Sequence, residues 1–233
     1  MKKPTILIVD DDLGVLKFVR ANLQASDYVT LLAMNGAEAI QVIEKELPDL
    51  IILDITMPQM DGIEVCRRVR EWSQTPIIML SARHDVGEKV KCLNNGADDY
   101  ITKPFGINEL RARVRAVLRR TQTGATVPVV PNFSSGDLNI NFIKREVTVA
   151  GNEIKLTPTE YNLLVELALG MGKVLTHTYL LNKVWGPEYR DEKEYLRVFI
   201  GRLRKQLRNG ANGNGHDYIA TVPGVGYQLS TTG

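Results

Sequence analysis

The sequence predicts an α/β protein of two domains, in which a doubly wound parallel sheet precedes a smaller domain of short strands and helices. Three observations support this prediction. Short apolar runs alternate with amphipathic helical patterns through residue 120, as expected for parallel strands covered on both faces. Residues 121–134 contain Thr, Gly, Val, Pro, Asn and Ser, show no helical period, and indicate a linker. Residues 135–233 then show short strands, three helical patterns and a final hairpin.

The first domain, residues 1–120, is predicted to contain five strands that alternate with five helices. The predicted strands are Thr5–Val9, Val29–Leu32, Leu50–Asp54, Ile77–Leu80 and Tyr100–Thr102. The predicted helices are Leu13–Ala25, Ala37–Glu46, Gly62–Glu71, Val86–Asn94 and Ile107–Arg120. Glycine and proline residues stand at the joints between them, where the chain has to turn.

The second domain begins with three short predicted strands, Leu138–Asn141, Glu146–Val149 and Asn152–Lys155. Thr157, Pro158 and Glu160 have the spacing of a capping box with proline at the first helical position, which predicts a helix that ends at Gly170. The remaining predicted elements are the helices Thr178–Val184 and Glu192–Arg208, the flexible loop Asn209–Gly215, and the hairpin strands Tyr218–Val222 and Val225–Leu229.

Composition narrows the class of protein. Cys66 and Cys92 both fall inside helical patterns, which argues against a disulfide framework and fits a reducing compartment. No apolar run approaches the roughly 20 residues that a membrane-spanning helix needs. We therefore expect a soluble cytoplasmic protein. The net charge of +2 falls entirely in residues 121–233.

Acidic and basic side chains follow several predicted strands of the first domain. Asp10 and Asp11 follow the first strand, Asp54 ends the third, and Lys103 precedes Pro104 after the fifth. The carboxyl ends of parallel strands meet at one edge of a sheet, so we expect these side chains to lie together. Three neighbouring carboxylates repel one another unless a cation binds, and Mg²⁺ prefers such oxygen ligands.

This cluster has the residue types that phosphoryl transfer requires. Asp54 can serve as a metal ligand and as the nucleophile that forms an acyl phosphate. Lys103 can pair with a phosphoryl oxygen, and Ser81, after the fourth strand, can donate a hydrogen bond to another. The alternative is that each aspartate caps a helix or forms a turn, as we expect for Asp12. Spacing favours the phosphoryl or metal site but leaves that alternative open.

The helix predicted at Glu192–Arg208 is basic on one side. Leu196, Ile200, Leu203 and Leu207 have the helical spacing of an inward face. The residues expected to point outward are Arg197, Arg202, Arg204 and Arg208. Such a face suits a helix in the major groove of DNA, although a solvated amphipathic helix gives the same pattern.

Several motifs of residues 4–120 together resemble the receiver domain of two-component response regulators, which has a flavodoxin-like (βα)5 fold. They are Val9-Asp10-Asp11-Asp12, Leu53-Asp54-Ile55-Thr56-Met57-Pro58, Leu80-Ser81-Ala82, Gly96-Ala97-Asp98-Asp99-Tyr100 and Thr102-Lys103-Pro104-Phe105. The resemblance implies that Asp54 is the phosphoacceptor and that Asp10, Asp11, Asp54 and the Thr56 carbonyl hold Mg²⁺. It further implies a switch pair, Ser81 and Tyr100, a phosphate-binding Lys103, and a cis peptide before Pro104.

Residues 135–230 resemble the winged-helix output domain of OmpR/PhoB-type regulators. The motifs are Leu156–Leu164, Gly172–Thr176, Val184-Trp185-Gly186, Arg202–Leu207 and Pro223–Tyr227. The resemblance implies that Arg202 approaches bases, that Arg204 contacts phosphates and that Thr221 begins the wing. It also places Tyr195, Arg197, Val198 and Phe199 on the DNA-facing stretch. A narrower resemblance, around Trp185–Tyr189 and Glu194–Val198, is to regulators of high-affinity potassium-transport operons.

The same family resemblance implies a two-fold dimer of phosphorylated receivers. The implied pairs between protomers are Lys89 with Glu109, Asp98 with Arg115, and Asp99 with Arg113. From spacing alone, these charges are more typical of solvated surface.

The combined expectation is a phosphorylation-activated transcription regulator rather than an enzyme. A sensor histidine kinase is expected to phosphorylate Asp54 with Mg²⁺, and the dimer to bind promoter DNA and contact RNA polymerase. By resemblance, Thr56 and Arg83 flank the path of the water that slowly removes the phosphoryl group. A phosphatase is disfavoured because Thr56 stands where a second acid is needed. A DNA-binding protein with a silent receiver is disfavoured because the acidic set is complete.

Overall fold

The computed structural model describes residues 3–82, 85–122, 131–211 and 217–230. The chain forms two compact units, Met1–Leu118 and Arg119–Gly233. Arg83, expected by resemblance to flank the path of hydrolysis, lies outside the described residues. None of the described helices is long and apolar enough to cross a membrane.

The first unit contains the predicted alternation of strands and helices. Its strands are β1 (Thr5–Val9), β2 (Val29–Ala33), β3 (Leu50–Asp54), β4 (Ile77–Ser81) and β5 (Asp99–Thr102). Its helices are α1 (Leu13–Gln24), α2 (Gly36–Glu46), α3 (Gly62–Arg70), α4 (Val86–Asn94) and α5 (Ile107–Gln122), whose last residues fall in the second unit. All strand pairs are parallel, in the order β2-β1-β3-β4-β5. The doubly wound fold is therefore confirmed.

The central strands are apolar and buried, and side-chain caps fix where the helices begin. Strand β3 is buried along its whole length. Asp12 caps α1 by accepting hydrogen bonds from Gly14 N and Val15 N, as the sequence predicted for this aspartate. Asp61 caps α3 and Asp85 caps α4 in the same way. Because an N-cap fixes the first turn, these residues set where each helix leaves the carboxyl edge of the sheet.

The described residues of the second unit form two small antiparallel sheets, three α-helices and a short 3-10 helix, Pro187–Tyr189. The strands are β6 (Asn132–Ser135), β7 (Leu138–Asn141), β8 (Glu146–Val149), β9 (Asn152–Glu153), β10 (Leu175–Thr176), β11 (Ile219–Val222) and β12 (Gly226–Leu229). The helices are α6 (Pro158–Leu169), α7 (His177–Val184) and α8 (Lys193–Gly210). Strands β6 to β9 form one sheet, and β10, β12 and β11 form the other. The predicted capping box of Thr157 and Glu160 is present at the start of α6.

Two strands lie where the sequence did not predict them. Strand β6 occupies the end of the stretch expected to be a linker, and Phe133 pairs there with Ile140 of β7. Residues 123–130 of that stretch, like 212–216 of the predicted loop, lie outside the described residues. Strand β10 pairs with β12, where a Cβ on Gly226 would lie 1.9 Å from Leu175 O. Both strands are short and form only by pairing with another strand, so the local pattern of apolar residues does not predict them.

Candidate functional site

The three aspartates predicted from strand ends lie together at the carboxyl edge of the parallel sheet. Oxygen atoms of Asp10, Asp11 and Asp54 all lie within 4.8 Å of one another. Asp10 and Asp54 are buried, whereas Asp11 is exposed. The backbone of Asp10 is held against β2, because Asp10 N donates to Ala33 O at 3.2 Å. The cluster thus has a buried floor and an open side toward solvent.

Lys103 bridges the two buried carboxylates. Its Nζ lies 2.6 Å from Asp10 Oδ2 and 2.5 Å from Asp54 Oδ1. The peptide bond between Lys103 and Pro104 is cis, as the family resemblance implied. Burial lowers the pKa of Lys103, but the hydrogen bonds to the two aspartates outweigh it and raise the pKa above its ordinary value. Burial raises the pKa of Asp10, and the hydrogen bond from Lys103 offsets only part of that rise.

The loop after β3 orients Asp54. Thr56 N donates to Asp54 Oδ2 at 2.7 Å, so one carboxylate oxygen is held by the backbone and the other by Lys103. Gly62 N donates to Ile55 O at 2.9 Å, and a Cβ on Gly62 would lie 2.1 Å from Asp54 O. Gly62 therefore lets α3 approach the backbone of Asp54. In the sequence, Gly62 is identified only as the first residue of the predicted helix Gly62–Glu71.

The donor set fits a hard divalent cation. Carboxylates of Asp10, Asp11 and Asp54 offer oxygen ligands, and Mg²⁺ is held in proteins by one or two carboxylates together with waters. The side chain of Thr56 is exposed, so its residue borders the open side of the cluster. Soft ligands are absent from this group, which consists of aspartates alone.

Ser81 and Tyr100 stand beside this cluster on adjacent strands. Ser81 ends β4 and is buried, and Tyr100 in β5 is only 4% exposed. Both hydroxyl groups donate to one oxygen, Oε2 of Glu88 in the first turn of α4, with Tyr100 OH at 3.2 Å. Burial raises the pKa of Tyr100 to about 12; a hydrogen bond with Ser81 offsets part of this rise, and the charge of Glu88 adds to it. Glu88 was not singled out from the sequence, where it is an ordinary acidic residue of a first helical turn.

Two aspartates expected at a dimer surface are instead engaged inside the first unit. Asp98 is fully buried; its Oδ2 lies 2.9 Å from Arg70 Nη2 and accepts from Ile77 N at 3.1 Å. Asp99 is also fully buried, and its Oδ1 lies 3.0 Å from Nη1 of Arg113 in the same chain. In this conformation Asp98 presents no exposed carboxylate, and its expected pairing with Arg115 of a second protomer stays a prediction. Glu109 and Arg115 are exposed, and Lys89 is half-buried.

Four of the residues expected to face DNA from α8 point into the second unit. Tyr195 and Phe199 are fully buried, and their rings pack edge-on against those of Tyr189 and Trp185. Val198 is 7% exposed. The guanidinium of Arg202 lies over the Phe199 ring at 4.7 Å, and its Nε is 2.8 Å from Oε1 of the buried Glu160. Helical spacing alone gave α8 a narrower buried stripe than the structure shows.

The solvent side of α8 is basic all the same. We use the term outer face for its exposed residues, which are Lys193, Arg197, Gly201, Lys205, Arg208 and Asn209. Arg204 lies beside this face but donates from Nε and Nη2 to Ile219 O, at 3.0 and 2.7 Å, and from Nη2 to Thr221 Oγ1 at 2.7 Å. Arg204 and Thr221 are thus joined, and they hold β11 against α8.

Comparison with known families agrees with this two-part architecture. Residues 6–115 match the response regulator receiver domain, and residues 151–229 match the C-terminal domain of transcriptional regulatory proteins. The transcriptional regulatory protein KdpE of Mycobacterium tuberculosis is 39% identical over 96% of this chain and 98% of its own length. A response regulator MprA from a Mycobacterium species is 42% identical over 97% of each chain.

Solved structures give the same result. A mutant form of RitR has a TM-score of 0.81 at 28% identity, over 98% of this chain and 100% of its own. DrrB of Thermotoga maritima, described as an OmpR/PhoB homolog, has a TM-score of 0.53 at 32% identity over the same shares. The chain belongs to the OmpR/PhoB-type response regulators, in which a receiver domain is joined to a DNA-binding domain that regulates transcription.

Proposed function

We propose that phosphorylation of Asp54 controls DNA binding by this regulator, with a sensor histidine kinase as the phosphodonor and Mg²⁺ as the cofactor. The observation that supports this proposal is the cluster in which Lys103 bridges Asp10 and Asp54 beside Asp11. The oxygen that attacks phosphorus has to be carried by an oriented carboxylate near a cation site, and Asp54 meets both requirements. The regulator itself is not an enzyme beyond slow loss of its own phosphoryl group.

In the proposed reaction, an Asp54 oxygen forms a bond to phosphorus while the bond from phosphorus to the histidine nitrogen of the kinase breaks. Asp10, Asp11, Asp54 and the Thr56 carbonyl would hold Mg²⁺, which would supply positive charge to neutralise the transferring oxygens. Thr56 N–H holds the Asp54 carboxylate in one orientation. Lys103 keeps its proton and exchanges its contact with Asp54 for one with a phosphoryl oxygen.

The assignment of Asp54 is tested by incubating the protein with acetyl phosphate and Mg²⁺ and measuring the phosphate incorporated by intact-mass spectrometry. We expect the wild type to take up one phosphoryl group and Asp54→Asn to take up none. Asp12→Asn is the matched control, because Asp12 lies in the same motif but caps α1, and asparagine is an equally good cap. Undiminished incorporation in Asp54→Asn would show that another residue is the acceptor.

We propose that the outer face of α8 is the surface that contacts promoter DNA. It presents four cationic side chains around Gly201 on one side of a helix, whereas Tyr195, Val198, Phe199 and Arg202 are turned inward. Cations that neutralise phosphates release counterions, so affinity should fall steeply with salt. We expect Arg197→Ala and Lys205→Ala each to reduce the slope of log affinity against log salt by about 1. The control is Lys144→Ala. Lys144 is an exposed cation outside α8, so this substitution should leave the slope unchanged.

The proposal includes the other partners of the family. Phosphorylated receivers pair through α4, β5 and α5, with Lys89 and Glu109 between protomers and with Asp99 and Arg113 kept inside each chain. RNA polymerase is the proposed partner at the promoter. Because the regulator would act on DNA together with the polymerase, its proposed location is the cytoplasm. The KdpE relatives, at 39% identity, and the MprA relatives, at 42%, are about equally similar to this chain. A potassium-transport operon as the target therefore stays a prediction.

A further inference from the structure

We propose that Glu88 holds the receiver in its resting form by accepting the hydroxyl protons of both switch residues, Ser81 and Tyr100. This inference rests on the proposed phosphorylation of Asp54. It assigns a positioning role to Glu88, which acts through the two hydroxyl groups and does not touch the reacting atoms. One carboxylate would thereby couple the phosphorylation site to the surface formed by α4 and β5.

The geometry joins two strands and a helix at one oxygen atom. Glu88 Oε2 accepts from Ser81 Oγ at the end of β4 and from Tyr100 OH, 3.2 Å away, in β5. Ser81 is 1% exposed and Tyr100 4% exposed, so water competes little for either hydroxyl. The Asp85 carboxylate accepts from the backbone nitrogens of Gly87 and Glu88 and thus fixes the turn that presents Glu88.

The hydroxyl of Ser81 can donate only one hydrogen bond at a time, and this limit can make the arrangement act as a switch. A serine or tyrosine hydroxyl has one proton to donate. Leu80 pairs with Asp54 across the sheet, so Ser81 is the next residue beyond the acceptor in β4. A phosphoryl group on Asp54 offers Ser81 strong acceptor oxygens. Because Ser81 cannot donate its only proton to Glu88 and to the phosphoryl group together, the two contacts exclude each other.

Removal of the carboxylate should therefore favour the active form. In the resting form, Glu88 gives Ser81 and Tyr100 a charged acceptor, and hydrogen bonds to charged acceptors are stronger than neutral ones. Without it, Ser81 is available to the phosphoryl group, and Tyr100 loses the contact that ties it to α4. The resting form loses stabilisation that the active form never had, so the equilibrium shifts toward the active form.

The test compares Glu88→Ala and Glu88→Gln with wild type before any phosphodonor is added. Protein labelled with 3-fluorotyrosine gives a ¹⁹F resonance for Tyr100, which is assigned with Tyr100→Phe. We expect Glu88→Ala to move this resonance toward its position in phosphorylated wild type. We also expect it to raise the affinity of the unphosphorylated protein for genomic DNA fragments roughly tenfold. This change corresponds to the loss of one charge-assisted hydrogen bond from the resting form. Glu88→Gln keeps an acceptor without the charge and should lie between. Glu44→Ala, an exposed acid on α2, is the matched control.

Two results would overturn the inference: a Tyr100 resonance and DNA affinity that match those of Glu44→Ala, or a lower affinity than wild type. The effect of Glu88→Ala should also shrink when Ser81→Ala is already present, because a role through Ser81 needs the hydroxyl, whereas a merely structural role does not. Should Glu88→Ala fail to fold, Glu88→Gln carries the same test. Failure of the proposed function is seen separately, as absence of phosphate on wild-type protein.

Discussion

Arg202 Nε lies 2.8 Å from Glu160 Oε1, and this ion pair ties α8 to the capped start of α6. Glu160 is 2% exposed, and its other oxygen accepts from Thr157 N in the capping box. An arginine expected to approach DNA bases is thus part of the interior of the second unit. Removing one member of a buried pair leaves the other charge without compensation, which is strongly destabilising.

We therefore expect Arg202→Ala to destabilise the second unit by about 3 kcal/mol. Urea unfolding followed through Trp185, in a Trp72→Phe background, reports on this unit alone, since the chain has two tryptophans. Arg197→Ala is the control, because Arg197 is exposed and its ion pair with the neighbouring Glu194 is a surface contact. Equal stability of the two variants would contradict the interior role of Arg202.

Substitution of Gly201 by alanine is expected to raise stability but weaken DNA binding. It lies in the interior of α8, is exposed, and a Cβ built there meets no described atom within 4 Å. Because glycine in a helix interior costs about 1 kcal/mol relative to alanine, Gly201→Ala should stabilise the second unit by about that amount. If the outer face lies against DNA, the added methyl group should weaken DNA binding. We expect Gly201→Ala to bind DNA more weakly than wild type although it is more stable in urea. Unchanged DNA affinity would show that Gly201 does not contact DNA.

Reversal of charges tests the pairing of receivers. Glu109→Lys should weaken dimer formation in the presence of acetyl phosphate, because it sets two cations opposite each other, and Lys89→Glu should weaken it by setting two anions opposite each other. The two substitutions together should restore the dimer, as measured by light scattering after size exclusion. Asp54 phosphorylation should be unaffected in all three variants. If the double variant is no better than the singles, the two residues do not face each other between protomers.

His177 gives a prediction for pH dependence. Its pKa lies below the ordinary value, first because of burial and then because Lys193 and Arg197 are near and positive. The neutral imidazole thus persists to lower pH than in a free histidine. DNA phosphates against the outer face would offset those two charges, so the pKa of His177 should rise on binding, and protons should be taken up as the complex forms. Titration followed by histidine NMR with and without DNA measures the shift. An unchanged pKa would argue against DNA at this face.

Much of the receiver could be predicted from the sequence because its signals are local. Continuous apolar runs mark buried parallel strands, and the aspartates stand where those strands end, so sheet geometry alone brings Asp10 and Asp54 together. The start of α6 was predictable for the same reason, since its cap and its acidic partner lie within one helical turn.

The structure differs from the sequence-based expectation where a charged residue has a partner distant in sequence. The sequence does not distinguish Asp98 from a surface charge; the structure shows that it forms an ion pair with Arg70. Arg202 has the helical spacing of an outward arginine, but the structure shows an ion pair with the buried Glu160. In α8 the aromatic residues Tyr195 and Phe199 adjoin the leucine stripe, so periodicity could not decide which side of them is covered. Glu88 was missed because its two partners are hydroxyl groups on separate strands.

The most direct test of phosphorylation-controlled DNA binding is protection mapping on genomic DNA, with wild type and Asp54→Asn, each with and without acetyl phosphate and Mg²⁺. We predict that protected sites appear or strengthen on wild-type protein when the phosphodonor is present, and that Asp54→Asn shows no such response. The same protected sites at the same protein concentration in all four samples would contradict control of DNA binding through Asp54.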